Sequence, residues 1–576
     1  MLRFRAPHLP VWLALATSLS VPFLVALHTY PIPTFYSEFA TALCWIAAAV
    51  GVLALTWRGE RVVPVVVLAP FGLVVVLLIQ LAVQPPLNPF FSFAGSIYLL
   101  AAAAVCGLGA RCRSVPGTLE AIAIAVITGG LATFAVEILQ LLRVPGLPDL
   151  LISMAPQGAG RRMWGNLNQP NHVGSYLAFG LAATLFLAQT RRRWCIPLIV
   201  MALALLAGMA LTVSRTSWLL VIVVGLLAGW VRASGRYGAR KWIEACVPLV
   251  LLVLAYQMCD SLVAYGNLRW HWDLPVSLAG RVQEGVGLRP LLWRHAWHMF
   301  LTHPLLGGGW GDYAWNQYVQ TDVLGHVEMS MNAHNIILDL LAKAGLVGLL
   351  AVSLPLLGFI RLMWRRRITP ELAFVYAIVL VLAVHSMLEY PLHYLYFLLP
   401  FAFAIGYADE RNLRMPSNSM SWVLTGVVTV CSAVLAVRMW GDYKSVERLY
   451  YPQESPRAEL QRYQASGQLL LVPYGNLTIA NNAAINYETA PVMAAVEHQA
   501  VQFYPSSGPV QRYAVALAFQ GKTDEAIVQV RRLHSQYWME YANQSQLLTN
   551  VCAKESVILR TFCARLRSEN LLAGAG

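Results

Sequence analysis

The chain predicts an all-α polytopic membrane protein, and three features of its composition predict it. Of 576 residues, 58% are hydrophobic and only 12% charged, with a mean hydropathy of +0.57; soluble domains carry roughly 25% charged residues. The apolar residues gather into runs of spanning length between residues 11 and 437, and a hydrocarbon core of about 30 Å needs about 20 of them per helix. The runs are continuous rather than alternating, which excludes a barrel of two-faced strands. A net charge of +13 would suggest nucleic acid in a soluble protein. Here the basic residues cluster in short gaps between apolar runs, so the charge reports topology and no nucleic-acid partner is expected.

The runs fall at about 11–29, 36–56, 62–83, 93–110, 117–142, 172–189, 194–212, 216–231, 242–259, 336–360, 371–387, 392–408 and 421–437, thirteen in all. The first follows MLRFRAPHLP and has no small-residue cleavage site before Tyr30-Pro31-Ile32-Pro33, so it reads as a retained helix rather than a signal peptide. Every second gap is basic: Arg3 and Arg5; Arg58 and Arg61; Arg111 and Arg113; Arg191 to Arg193; Arg232, Arg236, Arg240 and Lys241; Arg361 and Arg365 to Arg367; Arg411 and Arg414. The positive-inside rule makes those gaps cytoplasmic, which puts the N-terminus inside and, after an odd number of spans, the C-terminus outside. The organisation expected is N-terminal spans over 1–259, a large outward loop over 260–335, further spans over 336–437 and an outward soluble domain over 438–576.

That last region is polar and contains no run long enough to span. Its segment PVQRYAVALAFQGKTDEAIVQVRRL, 509–533, reads as two helices around Gln-Gly-Lys-Thr-Asp with the Ala-rich faces of a tetratricopeptide-like hairpin. Cys552 and Cys563 form either a disulfide, if the compartment is oxidising, or two free thiols. The other cysteines include Cys44, Cys106, Cys195, Cys246 and Cys431 in or beside apolar spans, where packing is their role. No metal framework and no cofactor fingerprint is visible.

Three outward segments break the charge rule: 143–171, 213–215 and 260–335 carry Arg143, Arg161, Arg162, Arg215, Arg269, Arg281, Arg289 and Arg294. Residues 162–172, Arg-Met-Trp-Gly-Asn-Leu-Asn-Gln-Pro-Asn-His, lead into a span with Asn168 or Asn171 as cap. Residues 212–218, Thr-Val-Ser-Arg-Thr-Ser-Trp, open another, with Ser214 or Thr216 as cap. Asn332-Ala-His-Asn335 opens a third. All three helices start at the outer face, so their free N–H groups and positive dipole ends point outward among arginines and amides, an arrangement suited to an anion. Arginine pairs bidentately with phosphate oxygens. Histidine titrates near neutrality and can take a proton from a hydroxyl, so His334 either caps its helix or serves as a base. His295, His298 and His303 lie on a Trp-rich amphipathic stretch, 291–303, expected along the membrane surface. Glu389 and His393, in an outward turn, are candidate partners of His334 on topology.

These segments together resemble the O-antigen ligase/polymerase superfamily, in particular the PglL-type bacterial protein O-oligosaccharyltransferases. The resemblance covers about 160–345: Arg162 with Gly165-Asn-Leu-Asn-Gln-Pro-Asn171-His172; Ser214-Arg215-Thr216-Ser217-Trp218; Arg289-x-x-x-Trp293 followed by His303-Pro-Leu-Leu-Gly-Gly-Gly-Trp-Gly311; and Ala333-His334-Asn335 with Lys343-Ala-Gly345-Leu-Val-Gly348. It implies a GT-C-like ligase bundle in the bacterial inner membrane. The activity implied is glycan transfer, at the periplasmic face, from undecaprenyl-pyrophosphate-linked oligosaccharide to a hydroxyl of an acceptor protein such as a pilin. His334 is then the essential histidine, and Arg215 and Arg289 hold the pyrophosphate, with Arg281 and Arg294 as alternatives for the second position. Arg162, Asn166, Gln169, Asn171 and His172 line the donor site. Two rivals stand beside this reading: a ligase or polymerase with a lipid A-core or lipid-linked glycan acceptor, and a transporter of polyprenyl-linked glycan. The spans carry few of the midplane ionisable residues a transporter wants, chiefly Glu137, Lys343 and His385.

The topology has a direct check. Cysteine-accessibility labelling should place 285–330 and 450–570 outside and 232–241 and 361–367 inside; a tail labelled from the cytoplasm would overturn the span parity.

Overall fold

The computed structural model describes residues 8–56, 63–154, 160–275, 289–413, 418–554 and 556–572. They are helical throughout, the one strand-like feature among them being an isolated bridge between Pro64 and Asn412. In chain order the helices of the apolar region are α1 (Leu9–Ser18), α2 (Val21–Leu24), α3 (Phe35–Thr56), α4 (Leu68–Val83), α5 (Pro89–Cys112), α6 (Thr118–Leu141), α7 (Pro170–Thr190), α8 (Cys195–Leu211), α9 (Arg215–Ala233) and α10 (Gly238–Trp270). The long polar loop holds α11 (Arg289–Thr302) and α12 (Tyr313–Leu324), followed by α13 (Ile336–Arg365), α14 (Pro370–Ser386), α15 (Leu395–Ala408) and α16 (Asn418–Tyr450). The polar tail forms α17 (Pro456–Ala465), α18 (Val472–Asn482), α19 (Ala490–Phe503), α20 (Ser507–Phe519), α21 (Thr523–Gln536), α22 (Tyr541–Cys552) and α23 (Arg560–Ser568). Each of the thirteen apolar runs contains helix. Among the described residues, nine helices are long and apolar enough to cross a membrane; the segments 9–24, 370–386 and 395–408 are apolar but shorter.

The chain divides into two units. The first comprises 1–72, 98–285 and 351–436 and is a helix bundle. Its central element is α7, 78% buried over its apolar window where α10 is 17% buried. The small residues Gly174, Ser175, Ala178, Gly180, Ala182 and Ala183 let α6, α8 and α14 pack against it on different sides, the close approach that drives helix association where lipid is as apolar as the side chains. Gly129 of α6 shows the tolerance: a Cβ there would lie 1.9 Å from the Tyr176 hydroxyl.

The second unit comprises 73–97, 286–350 and 437–576, so residues 286–335 of the long loop share a unit with the tail. The expected hairpin is present as α20 and α21, with α19 packed on α20 in the same manner. Cys552 and Cys563 are joined in a disulfide. One apolar run departs from its expected form. The single span read over 336–360 is broken at Gly345, whose φ of 65° and ψ of −166° leave the helical region. The cause is the segment 303–311, which docks into the break: Leu346 N donates to Pro304 O at 2.9 Å, Val347 N to Leu305 O at 3.1 Å and Gly308 N to Ala342 O at 2.8 Å. Gln80 of α4 completes it, donating from Nε2 to Leu306 O at 2.7 Å and Lys343 O at 2.8 Å. Backbone groups freed by the break are thus satisfied within the protein, the condition under which a broken helix survives beside lipid.

Only glycine fits this junction. A Cβ at Gly345 would lie 2.2 Å from Leu305 O, and the backbone region it occupies is essentially closed to other residues. Gly345→Ala should therefore destabilise the detergent-solubilised protein by at least about 1–3 kcal/mol; an unchanged unfolding temperature would refute the junction.

Candidate active site

In the bundle unit, the segment before α7 is held by amide side chains. Gln169, rather than Asn168 or Asn171, is the N-cap, its Oε1 accepting from His172 N at 2.9 Å. Pro170 takes the first helical position, where its missing N–H costs nothing, and so moves the cap to the residue before it. Asn168 turns the chain with a φ of 54°. Asn171, one residue into the helix, becomes a hub. Its Oδ1 accepts from Ser214 Oγ at 2.5 Å and from Arg162 Nη2 at 3.3 Å, and its Nδ2 donates to Glu389 at 3.2 Å. Ser214 is the N-cap of α9, accepting from Thr216 N at 3.2 Å, while Arg162 also donates from Nε to Thr212 O at 2.8 Å.

Two of the four sequence motifs, together with Glu389, therefore meet at one amide. Arg215 follows as the first residue of α9 and is half-buried. A cation there sits at the positive end of the helix dipole.

The other polar residues of this segment bond within the bundle. Asn166 is buried: its Nδ2 donates to Leu24 O at 2.8 Å and Leu151 O at 2.9 Å, and its Oδ1 accepts from Ser153 N at 3.0 Å. His172 is buried against Tyr396, Nδ1 to hydroxyl 3.1 Å. Arg161 closes the end of α6, donating to Gln140 O at 3.0 Å and Leu141 O at 2.8 Å; its desolvation pulls the guanidinium pKa down. Its place outside the charge rule thus has a structural reason. Gln140, which drew no attention in the sequence, donates to Gly165 O at 2.7 Å and accepts from Gly165 N at 3.1 Å. His393 lies edge-on to Tyr390, ring centroids 5.9 Å apart.

His334 and Arg289 belong to the second unit. His334 has a φ of 53°, the left-handed region that a side chain enters at a cost. It does not cap α13: Asn335 does, its Oδ1 accepting from Ile337 N at 3.1 Å and Leu338 N at 3.2 Å. Beside His334 lies a buried ionic network. Lys343 Nζ lies 3.0 Å from Asp339 Oδ2, one helical turn earlier, and donates to Asn332 Oδ1 at 2.5 Å. Asp339 Oδ1 accepts from Ala333 N at 2.9 Å. The residues on the N-terminal side of His334 are thereby tied to the helix that follows it.

Arg289 is the first described residue of α11 and is half-buried, whereas Arg294 is exposed; Arg281 lies outside the described residues. Helix α11 has two faces. Leu292, His295, Ala296 and Met299 are buried, with His295 Nε2 3.2 Å from Gly325 O and its imidazole pKa lowered by burial. Leu291, Trp297 and Leu301 are exposed, the apolar strip expected of a surface-lying stretch. The sequence reading named Asn332 only within the helix-opening Asn332-Ala-His-Asn335, and it missed Asp339 and Gln80. The available signal was an Asp and a Lys four residues apart inside an apolar run.

The fold and these clusters define a multi-pass helical membrane protein with arginine-, amide- and histidine-bearing segments at the beginnings of its helices. Three protein-family models match in chain order: Protein glycosylation ligase over 163–188, O-Antigen ligase over 200–353, and Virulence factor membrane-bound polymerase, C-terminal, over 373–551. The chain is 25% identical to a general O-oligosaccharyltransferase of Acinetobacter baylyi over 94% of its own length and 95% of that protein's. It is also 25% identical to a ComP-specific O-oligosaccharyltransferase of the same organism, over 45% of this chain and 46% of that one. The PglL-type resemblance drawn from residues 160–345 is thus matched, and the likeness continues into the tail.

The network makes a stability prediction. Lys343→Met leaves Asp339 buried without its cation and should cost about 3–5 kcal/mol. Asp339→Leu combined with Lys343→Met should recover part of this, the remainder reflecting the Ala333 amide and the Asn332 oxygen left without partners. A Lys343→Met protein as stable as the native one would remove the network from the account.

Proposed function

We propose that the chain is an O-oligosaccharyltransferase that moves a glycan en bloc from undecaprenyl pyrophosphate to Ser or Thr hydroxyls of extracytoplasmic proteins such as pilins. The observation that carries this reading is the likeness, over 94% of the chain, to a protein named for that activity. The distribution of basic gaps supports thirteen spans in a bacterial inner membrane, with the active face and the tail periplasmic.

In this mechanism His334 accepts the proton of the acceptor hydroxyl as its oxygen attacks the anomeric carbon. The bond from that carbon to the pyrophosphate oxygen breaks, and the electron pair leaves with the pyrophosphate. Arg215 and Arg289 stabilise the growing negative charge, preorganised donors being most effective where charge develops. Arg162 and Asn171 support Arg215 through the Ser214 cap, while Asn166, Gln169 and His172 hold the segment that presents them. Attack opposite the leaving group predicts inversion at the anomeric carbon. The reading requires no metal, because the arginines supply the positive charge and His334 the base.

A second reading, an O-antigen ligase acting on a lipid A-core or lipid-linked acceptor, is favoured by the O-Antigen ligase match over 200–353. Separate feeding of protein and lipid acceptors distinguishes the two. The transporter reading gains nothing from the break at Gly345, which residues 304–308 of the chain fill.

The test is reconstitution with lipid-linked glycan and a candidate acceptor protein. His334→Ala should lower transfer by about 10²–10⁴-fold with donor binding intact, and His326→Ala should retain most activity. Arg215→Ala should lose transfer, Arg215→Lys recovering only part because a point charge does not replace a planar fork. Near-native transfer by His334→Ala would refute the assignment, and loss of donor binding in that variant would make His334 a pyrophosphate ligand instead.

A further inference from the structure

The tetratricopeptide-like hairpin is not explained by transfer chemistry, yet it grips one helix of the outward loop. Helix α12 presents two faces. Tyr318 joins the apolar core of the tail domain with Val510, Ala514, Ala526, Ile527 and Val530. Its hydroxyl donates to Gln529 Oε1 at 2.6 Å, and the Arg532 guanidinium lies 5.1 Å from its ring centroid. Arg532 also forks onto Asp322, with nitrogen to oxygen distances of 3.0 and 2.6 Å. Gln536 donates to Tyr318 O at 3.3 Å and to Thr321 Oγ1. Gln529, Arg532 and Gln536 recur at i, i+3 and i+7, one face of α21.

The neighbouring residue on α12, Gln317, looks the other way. It is fully buried, donates from Nε2 to Glu328 O at 2.7 Å and accepts from Ser330 N at 3.2 Å. Ser330 donates from Oγ to Asn332 O at 2.8 Å and accepts from Asn332 N at 3.1 Å. Asn332 in turn takes the Lys343 bond described above, two residues before His334. Tyr313, one turn earlier on α12, packs with Ala296, Met299, Ala333 and Ala342. An unbroken series of packed and hydrogen-bonded groups therefore runs from the tail domain to the strained turn that holds the histidine.

We propose that α21 is a positioning clamp for the transfer step: Gln529, Arg532 and Gln536 fix α12, and Gln317 passes that constraint to the segment 328–334. The proposal rests on the assignment of His334 as the base. Holding a reacting group to within an ångström matters because a displacement of about 1 Å costs on the order of 10²-fold in rate. The left-handed backbone at His334 would not persist unless its surroundings over-determined it, and the clamp supplies the constraint from the N-terminal side.

The test uses the full-length protein and two independent readouts, hydrogen exchange and transfer kinetics. Gln317→Leu should raise backbone hydrogen exchange over 328–334 while α19 to α21 keep their protection. In the transfer assay it should lower kcat by about 10- to 100-fold, with acceptor KM and donor binding unchanged. Arg532→Asp should show the same pattern more weakly, and Arg532→Asp combined with Asp322→Arg should restore both readouts. Unchanged exchange over 328–334, or a charge-reversed pair that restores nothing, would overturn the clamp. A raised acceptor KM with native kcat would also overturn it, by making α12 an acceptor-docking helix. If exchange rises as expected while His334→Ala remains active, the coupling of α12 to 328–334 stands but its role in transfer falls with the base assignment, so the two failures are separable.

Discussion

A buried ammonium group governs the second unit. Lys343 sits in an apolar helix with about 5% of its side chain exposed, and an unpaired charge there would cost several kcal/mol. Asp339 answers it one turn back along the helix, and Asn332 answers it from the preceding loop. Once that loop is drawn onto the helix, Ala333 N is satisfied by the same carboxylate, and His334 follows it with a left-handed backbone. The break at Gly345 follows two residues beyond Lys343, and the carbonyls it frees are met by Gly308 and Gln80. The ionic pair, the glycine and the docked loop thus form one mechanical object, in which strain at the histidine is offset by bonds made on both sides of it.

The bundle unit solves a related problem with neutral groups. Amide side chains both donate and accept, and the two that matter, Gln140 and Asn171, each join segments distant in sequence. Asn171 links the start of α7 to the start of α9 and to the turn after α14, while Gln140 holds Gly165 by both its N–H and its carbonyl. Neutral hubs suit this position because Arg162 and Arg215 already concentrate positive charge at helix beginnings. Glu389 accepts from the same amide, so the hub joins a carboxylate to the two arginine-bearing segments without itself carrying a charge.

Much of the architecture was legible because lipid is a severe solvent for backbone. Continuous apolar runs can only be helices there, and every run contains one. The hairpin at 509–533 was legible from its Ala-rich periodicity. The convergence of Arg162, Asn171 and Ser214 was legible in a weaker sense, since helices that begin on one face bring their N-terminal residues to that face. The caps were misplaced at α7 because Pro170 shifts the helix start by its own geometry. The break in α13 was hidden because Gly345 is one small residue in an apolar run, and its conformation is set by Leu305 and Gly308, some 40 residues away in sequence.

Sequence alone determined the class of this protein, its alternation of basic and non-basic gaps, and the set of residues able to handle an anion and a proton. Those properties are local: hydropathy, charge and side-chain chemistry do not depend on what a residue touches. Tertiary structure decided which partners those residues meet. Asn166, His172 and Arg161 have the chemistry of ligands but spend it on Leu24, Tyr396 and the end of α6. It also decided that α12 belongs with the tail domain and that a lysine and an aspartate in a membrane helix serve the histidine turn. Hydrogen bonds between distant segments are made by whatever group the fold brings within about 3 Å, and that proximity is a property of packing that no single stretch of sequence contains.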